Sequence, residues 1–140
     1  MNNPGPIQLT KNGAAFQIVA ASTIIGDWLT GLAGLTAVSL QAQFLYGSGG
    51  AACTVYIQTS VDQGQTAIDI AAIQFTTTSG TQVVNLSGLT PVTTPYAPLQ
   101  QALAANSTKD GILGDRLRAV VVSTGTYGSS TLLNLTGCVR

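Results

Sequence analysis

The chain has 140 residues, five basic and five acidic side chains, no histidine and a formal net charge of zero. A charged fraction of 7%, against roughly 25% in an ordinary soluble domain, leaves little with which to move protons, hold metals or grip phosphates. Net neutrality gives no long-range attraction to nucleic acid or anionic membranes, which draw on clustered Lys and Arg, and little charge repulsion to keep copies apart.

The length fits one domain spanning residues 1–140. The opening Met1-Asn-Asn-Pro-Gly-Pro6 has neither the basic nor the apolar region of a secretory leader. Residues 1–14 are expected to form an N-terminal arm, with a short strand around Ile7–Leu9. The first strong strand is predicted over Phe16–Ile25, followed by a glycine-punctuated loop, residues 26–34, that holds Trp28. From Leu35 to Tyr46, Val38, Leu40, Ala42, Phe44 and Tyr46 alternate with Ser39, Gln41, Gln43 and Leu45, the period of a strand with one buried face.

Gly47-Ser-Gly-Gly50 reads as a turn into a strand over Ala51–Ser60, where Cys53, Val55 and Ile57 share a face. The turn signal Asp62-Gln-Gly-Gln65 predicts a hairpin to a strand over Thr66–Phe75. A shorter strand covers Thr81–Leu86. Pro91, Pro95 and Pro98 then break the rhythm, and residues 87–114 read as a long crossover of Greek-key type. Within it, Leu99–Ala105 is the one stretch with helical character, two turns at most. Strands over Asp115–Thr124 and Ser130–Val139, joined at Gly125–Ser130, are expected to form a second hairpin. Seven or eight strands with tight turns predict an all-β fold, an antiparallel two-sheet sandwich of jelly-roll type, with a closed barrel as the alternative.

The chemistry of the chain is sparse. Without histidine a Ser-His-Asp or Cys-His nucleophile cannot be assembled, and the spacing of Asp27, Asp62, Asp69, Asp110 and Asp115 brings no two carboxylates together. The expectation is a non-enzymatic protein with no cofactor and no metal. Asp62-Gln-Gly-Gln65 resembles half of a calcium loop but lacks its further acids, so a plain turn is the preferred reading. Cys53 and Cys138 form no metal spacing. They read either as small buried hydrophobes or as a disulfide, within the chain or between copies.

Lys109, Asp110, Asp115, Arg116 and Arg118 crowd one short segment. They are expected to form local ion pairs at the mouth of a strand, with Arg116 and Arg118 as the alternative a patch for an acidic partner. Trp28, Tyr96 and Tyr127 are the candidate surface aromatics. An exposed set would suit a glycan-binding sandwich, although a lone Trp is more often buried.

Three segments carry a resemblance: Tyr56-Ile-Gln-Thr-Ser-Val-Asp-Gln-Gly-Gln-Thr-Ala-Ile-Asp-Ile-Ala71, Leu86-Ser-Gly-Leu-Thr-Pro-Val-Thr-Thr-Pro-Tyr96, and Asp110-Gly-Ile-Leu-Gly-Asp-Arg-Leu-Arg118 with Ser123-Thr-Gly-Thr-Tyr127. Together, over residues 26–139, they resemble small virion-associated structural proteins of tailed bacteriophages and prophages, of the head-decoration or neck-collar type. The most specific part is Gln58-Thr-Ser-x-Asp-x-Gly-x-Thr66 followed by Asp69-Ile-Ala71; where a Trp tends to follow the Thr in that pattern, this chain has Ala67. The resemblance implies no catalytic residues. It implies copies of the same chain and other virion proteins (capsid, portal or neck) as partners, and a place in the virion after assembly in the bacterial cytoplasm.

Overall fold

The structure is a computed structural model that describes residues 4–140; Met1–Asn3, the start of the expected arm, lie outside the described residues. In chain order the strands are β1 Gly5–Leu9, β2 Phe16–Gln17, β3 Ser22–Ile25, β4 Ala37–Leu45, β5 Ser48–Gly49, β6 Ala52–Ser60, β7 Ile68–Phe75, β8 Gly80–Ser87, β9 Ser107–Thr108, β10 Arg116–Thr124, β11 Tyr127–Gly128 and β12 Leu132–Val139. Eight of them have four residues or more, and no helix occurs among the described residues.

Period-two alternation decides which faces meet. β4 buries Val38, Leu40, Ala42 and Phe44 and turns Ser39, Gln41, Gln43 and Leu45 outward. β10 turns Leu117, Ala119 and Val121 inward, and β6 turns Cys53, Val55 and Ile57 inward. Two main antiparallel sheets result. One has the order β1-β12-β4-β8, with β2 also paired to β12; the other runs β3-β10-β6-β7-β9. Their inner faces share one core, in which the Phe44 ring stacks on Phe75 of the opposite sheet at 5.0 Å between centroids. Each large aliphatic or aromatic side chain fully buried there stabilises the fold by about 1.5–3 kcal/mol. The protein is an all-β sandwich, as the alternation predicts.

Among the eight longer strands, β6 and β7 form the one sequential hairpin; each other connection passes from one sheet to the other. This corrects three expectations. The predicted strand Phe16–Ile25 is two strands: β2 pairs with β12, and after Ile18 donates to the Thr131 carbonyl the chain crosses to pair β3 with β10. A β-prone run specifies extended backbone but not its partner. The predicted hairpin between the last two strands is likewise absent, since β10 and β12 lie in opposite sheets. Their link is pinned by β11, which pairs with β5 in the β4–β6 link.

The third correction concerns residues 99–105, which are irregular rather than helical. Gln101 adopts φ 53°, and the amides of Gln101, Ala102 and Leu103 all point to the carboxylate of Asp69 rather than along a helix. The long crossover over 87–114 is otherwise as expected, carrying only the two-residue β9 among the described strands. Within the expected arm, Gly5–Leu9 form β1, which joins the first sheet through β12.

Candidate functional site

The two outer faces of the sandwich differ in chemistry. The outer face of β3-β10-β6-β7-β9 carries a polar cluster, and a β-bulge builds it. β6 and β7 pair as Ile57 with Ala71 but Gln58 with Asp69, so Ile70 is the extra residue. The bulge turns Asp69 from the inner face, where simple alternation with Ala71 and Ile73 would put it, to the outer one. There its Oδ1 accepts from Gln58 Nε2 (2.8 Å) and the Gln101 amide (3.1 Å), and its Oδ2 accepts from the amides of Ala102 (2.8 Å) and Leu103 (3.1 Å). Both Asp69 and Gln58 are fully buried. The cluster is an anchor that ties the crossover to the sheet.

Gln58 Oε1 in turn accepts from Arg118 Nε at 2.9 Å, and the Arg118 guanidinium lies over the Trp28 ring at 4.4 Å. Such a cation–π contact is worth about 1 kcal/mol. Burial lowers the Arg118 pKa from the ordinary arginine value, which leaves it charged at neutral pH. Trp28 is half-buried and roofed by Arg118, so it is neither a plug of the core nor an open platform.

Arg116 pairs with its neighbour Asp115 through Nε–Oδ1 at 3.0 Å and Nη2–Oδ2 at 3.2 Å. Hydrogen bonding from that guanidinium holds the Asp115 carboxyl below the usual range. The remaining charges of the segment do not pair as expected. Asp110 accepts from the Ser87 amide at 2.6 Å and from Thr90 Oγ1 at 3.2 Å, and Lys109 sits over the Tyr96 ring at 4.1 Å. Tyr96 is half-buried, and its buried hydroxyl has no hydrogen-bond partner among the described residues.

Tyr127 departs furthest from expectation. It lies in β11 rather than a loop, is 2% exposed, and packs edge-on against Phe44 at 5.8 Å while its hydroxyl donates to the Thr76 carbonyl at 2.7 Å. Gly50, at φ 73°, lies so close under the ring that a Cβ there would collide with it. The ring is thus a core element and does not reach the surface.

The turn at 61–66 explains the Ser-x-Asp-x-Gly-x-Thr spacing. Ser60 Oγ accepts from the Gly64 amide and donates to Asp62 Oδ1, each at 2.8 Å, and Asp62 Oδ1 accepts from the Thr66 amide at 2.8 Å. The hydrogen bonds from Thr66 and Ser60 draw the Asp62 pKa down to about 2. Because the folded value is depressed, the contribution of Asp62 is complete above its unfolded pKa of about 4 and is lost as pH falls through the folded value. An NMR titration is therefore expected to show the Thr66 amide shifting with a midpoint near pH 2, and Asp62→Asn should abolish that step; a midpoint near 4 would contradict the turn.

Cys53 fits the reading of a small buried hydrophobe and Cys138 does not. Both are free. Cys53 is 0% exposed on the inner face of its sheet, where burial pushes its thiol up to about 12. Cys138 is exposed, in the opposite sheet between Pro6 and Ser39. No disulfide joins them, and Cys53 is shielded from neighbouring molecules. A thiol reagent is expected to label one cysteine per native chain, Cys138, and two after unfolding; mass spectrometry of the native adduct checks this.

Among the described residues, β1, β12, β4 and β8 contain no charged side chain; Arg140, which pairs with Ala37 just past β12, is exposed at the rim of their outer face. Gln8, Thr136, Asn134, Gln41, Gln43, Asn85 and Thr81 cover it, with Val83, Leu45 and Cys138 between them. A trough of about 540 Å³ crosses its middle, walled by Ser39, Gln41, Val83, Asn85, Thr136 and Cys138. It offers hydrogen-bonding amides and hydroxyls but neither a base nor a nucleophile activated by one. The sequence did not single this face out, because it spreads over four strands that only pairing brings together. No protein-family model, curated protein or solved structure matches this chain.

Proposed function

We propose that the protein is a non-enzymatic structural component of a tailed-bacteriophage virion, decorating or cementing the head, or the neck and collar, through repeated contacts with copies of itself and with capsid, portal or neck proteins. The observation that carries this reading is the outer face of β1-β12-β4-β8, whose strands contain no charged residue. Such a face packs against a neighbour without the desolvation penalty of buried ions, and weak contacts gain strength when many copies engage together. The strand order supports it further. β1-β12-β4-β8 opposite β3-β10-β6-β7 supports our reading of the sandwich as two interleaved Greek keys, a jelly roll, an architecture common in capsid proteins.

The test is to purify particles from a lysogen or lysate that encodes the chain and to locate it by mass spectrometry and a cryo-EM map. Ordered copies on the head or neck are expected; absence from the particle would overturn the reading. Non-reducing gels of the same particles test whether Cys138 links copies.

One observation favours a second reading, a glycan-binding module of a tail or fibre. The trough is lined by uncharged hydrogen-bonding groups suited to sugar hydroxyls. Against it, Tyr127 is in the core and Trp28 lies under Arg118, so the aromatic platform expected of such modules is missing. Glycan-array binding that is lost on Gln41→Ala would favour this reading over the first.

A further inference from the structure

We propose that β8 is a self-pairing edge, through which two copies of the chain join their sheets about a two-fold axis at Val83. The inference concerns the chain alone and holds whether or not the proposed virion role does.

β8 ends its sheet, with β4 as its one strand partner among the described residues. In an antiparallel ladder the N–H and C=O of one residue point to the same side, and the sides alternate along the strand. Gly88 donates toward β4, to the Thr36 carbonyl. Ser87 faces the other way: its amide donates to Asp110 Oδ1 at 2.6 Å and its carbonyl accepts from the Gly111 amide at 3.0 Å. By that parity the backbone groups of Thr81, Val83 and Asn85 also point away from β4. Asp110 and Gly111 close the edge at Ser87 and leave these three residues open.

This open segment is symmetric about Val83. Antiparallel pairing with a second copy sets Val83 opposite Val83, and Thr81 opposite Asn85 in both directions. Each of the three pairs exchanges two backbone hydrogen bonds. Val83 is 71% exposed, and in this register the two valines cover each other. No charge opposes another: Gly80–Ser87 contains none, and the end of β8 beside Asp110 meets the turn Thr76-Thr-Thr-Ser79 of the other copy.

The remaining edges are blunted in the usual ways. β9 has two residues, β3 has four, and β1 carries Pro6. β8 has eight residues and neither proline nor charge. A two-fold isologous contact is also the commonest way for a chain to meet its copy. The pairing would set the two outer faces side by side as one continuous sheet.

Cysteine cross-linking in a Cys138→Ser background tests the register. Residues facing across a hydrogen-bonded pair lie about 5.5 Å apart between Cα atoms, within disulfide range. Val83→Cys alone should give a covalent dimer under mild oxidation. Thr81→Cys and Asn85→Cys should cross-link when mixed and not singly. In sedimentation of the otherwise wild-type chain, Val83→Lys should raise the dimer dissociation constant by about tenfold or more; the side chain is exposed, so folding, checked by circular dichroism, should be unchanged. A wild-type chain that stays monomeric, a Val83→Cys chain that oxidises without dimerising, or cross-linking that ignores the register would each overturn the proposal. Cys138 lies two strands from β8, which places the two Cys138 residues of this dimer more than about 20 Å apart. A dimer linked through Cys138 would therefore report a different contact.

Discussion

Asp69→Ala should lower the unfolding free energy by about 3–4 kcal/mol and the melting temperature by about 10 °C. The wild-type carboxylate receives Gln58 and the amides of residues 101–103 in a site from which water is excluded. Removing it strands several donors, and each buried donor left unsatisfied costs about 1–3 kcal/mol. The sum is reduced because the crossover lies at the surface, where water can enter once it loosens. For a chain of this length about 3 °C accompanies each kcal/mol. Asp69→Asn should cost less, about 2 kcal/mol, since the amide oxygen keeps part of the acceptor set while its NH2 faces donors. Urea denaturation gives the energies, and hydrogen exchange gives the location: the amides of Gln101, Ala102 and Leu103 should lose protection first. A loss under about 1 kcal/mol, or exchange spread evenly over the sheets, would show that the anchor does not hold the crossover.

Phe44→Ala should cost about 4 kcal/mol. The ring is fully buried between the sheets, parallel to Phe75 at 5.0 Å and edge-on to Tyr127 at 5.8 Å. Truncation therefore removes its transfer energy, opens a cavity and takes away the partner of two aromatic contacts, each worth about 0.5–1.5 kcal/mol beyond area. Phe44→Leu keeps most of the volume and should cost about 1–1.5 kcal/mol. An unchanged urea m-value alongside a lower midpoint would confine the effect to stability. Equal costs for the two substitutions would mean that the sheets close over the gap.

Much of the fold is legible in the residues. The alternation in β4 names the inward side chains correctly, and the turn at Asp62–Gln65 announces the β6–β7 hairpin. Trp28 and Arg118 were each visible as candidates, but not their contact, because residues 90 apart in sequence meet only when the loop after β3 folds over β10. Tyr127 misled for a related reason. Its neighbours are turn-forming glycines and serines, which predict exposure, yet pairing of β11 with β5 drops the ring onto Phe44.

The sequence by itself determined the class of the protein: strands throughout, one face of most of them apolar, and a surface built from amides and hydroxyls. Those properties follow from side-chain period and composition, which are local. Tertiary structure alone decided which strand lies beside which. It sends nearly every connection across the sandwich, inserts Ile70 as a bulge that turns Asp69 toward the crossover, and leaves β8 at an open edge while Asp110 closes its end. A strand's partner is chosen by the burial and hydrogen bonding of segments distant in the chain, and no local pattern carries that information.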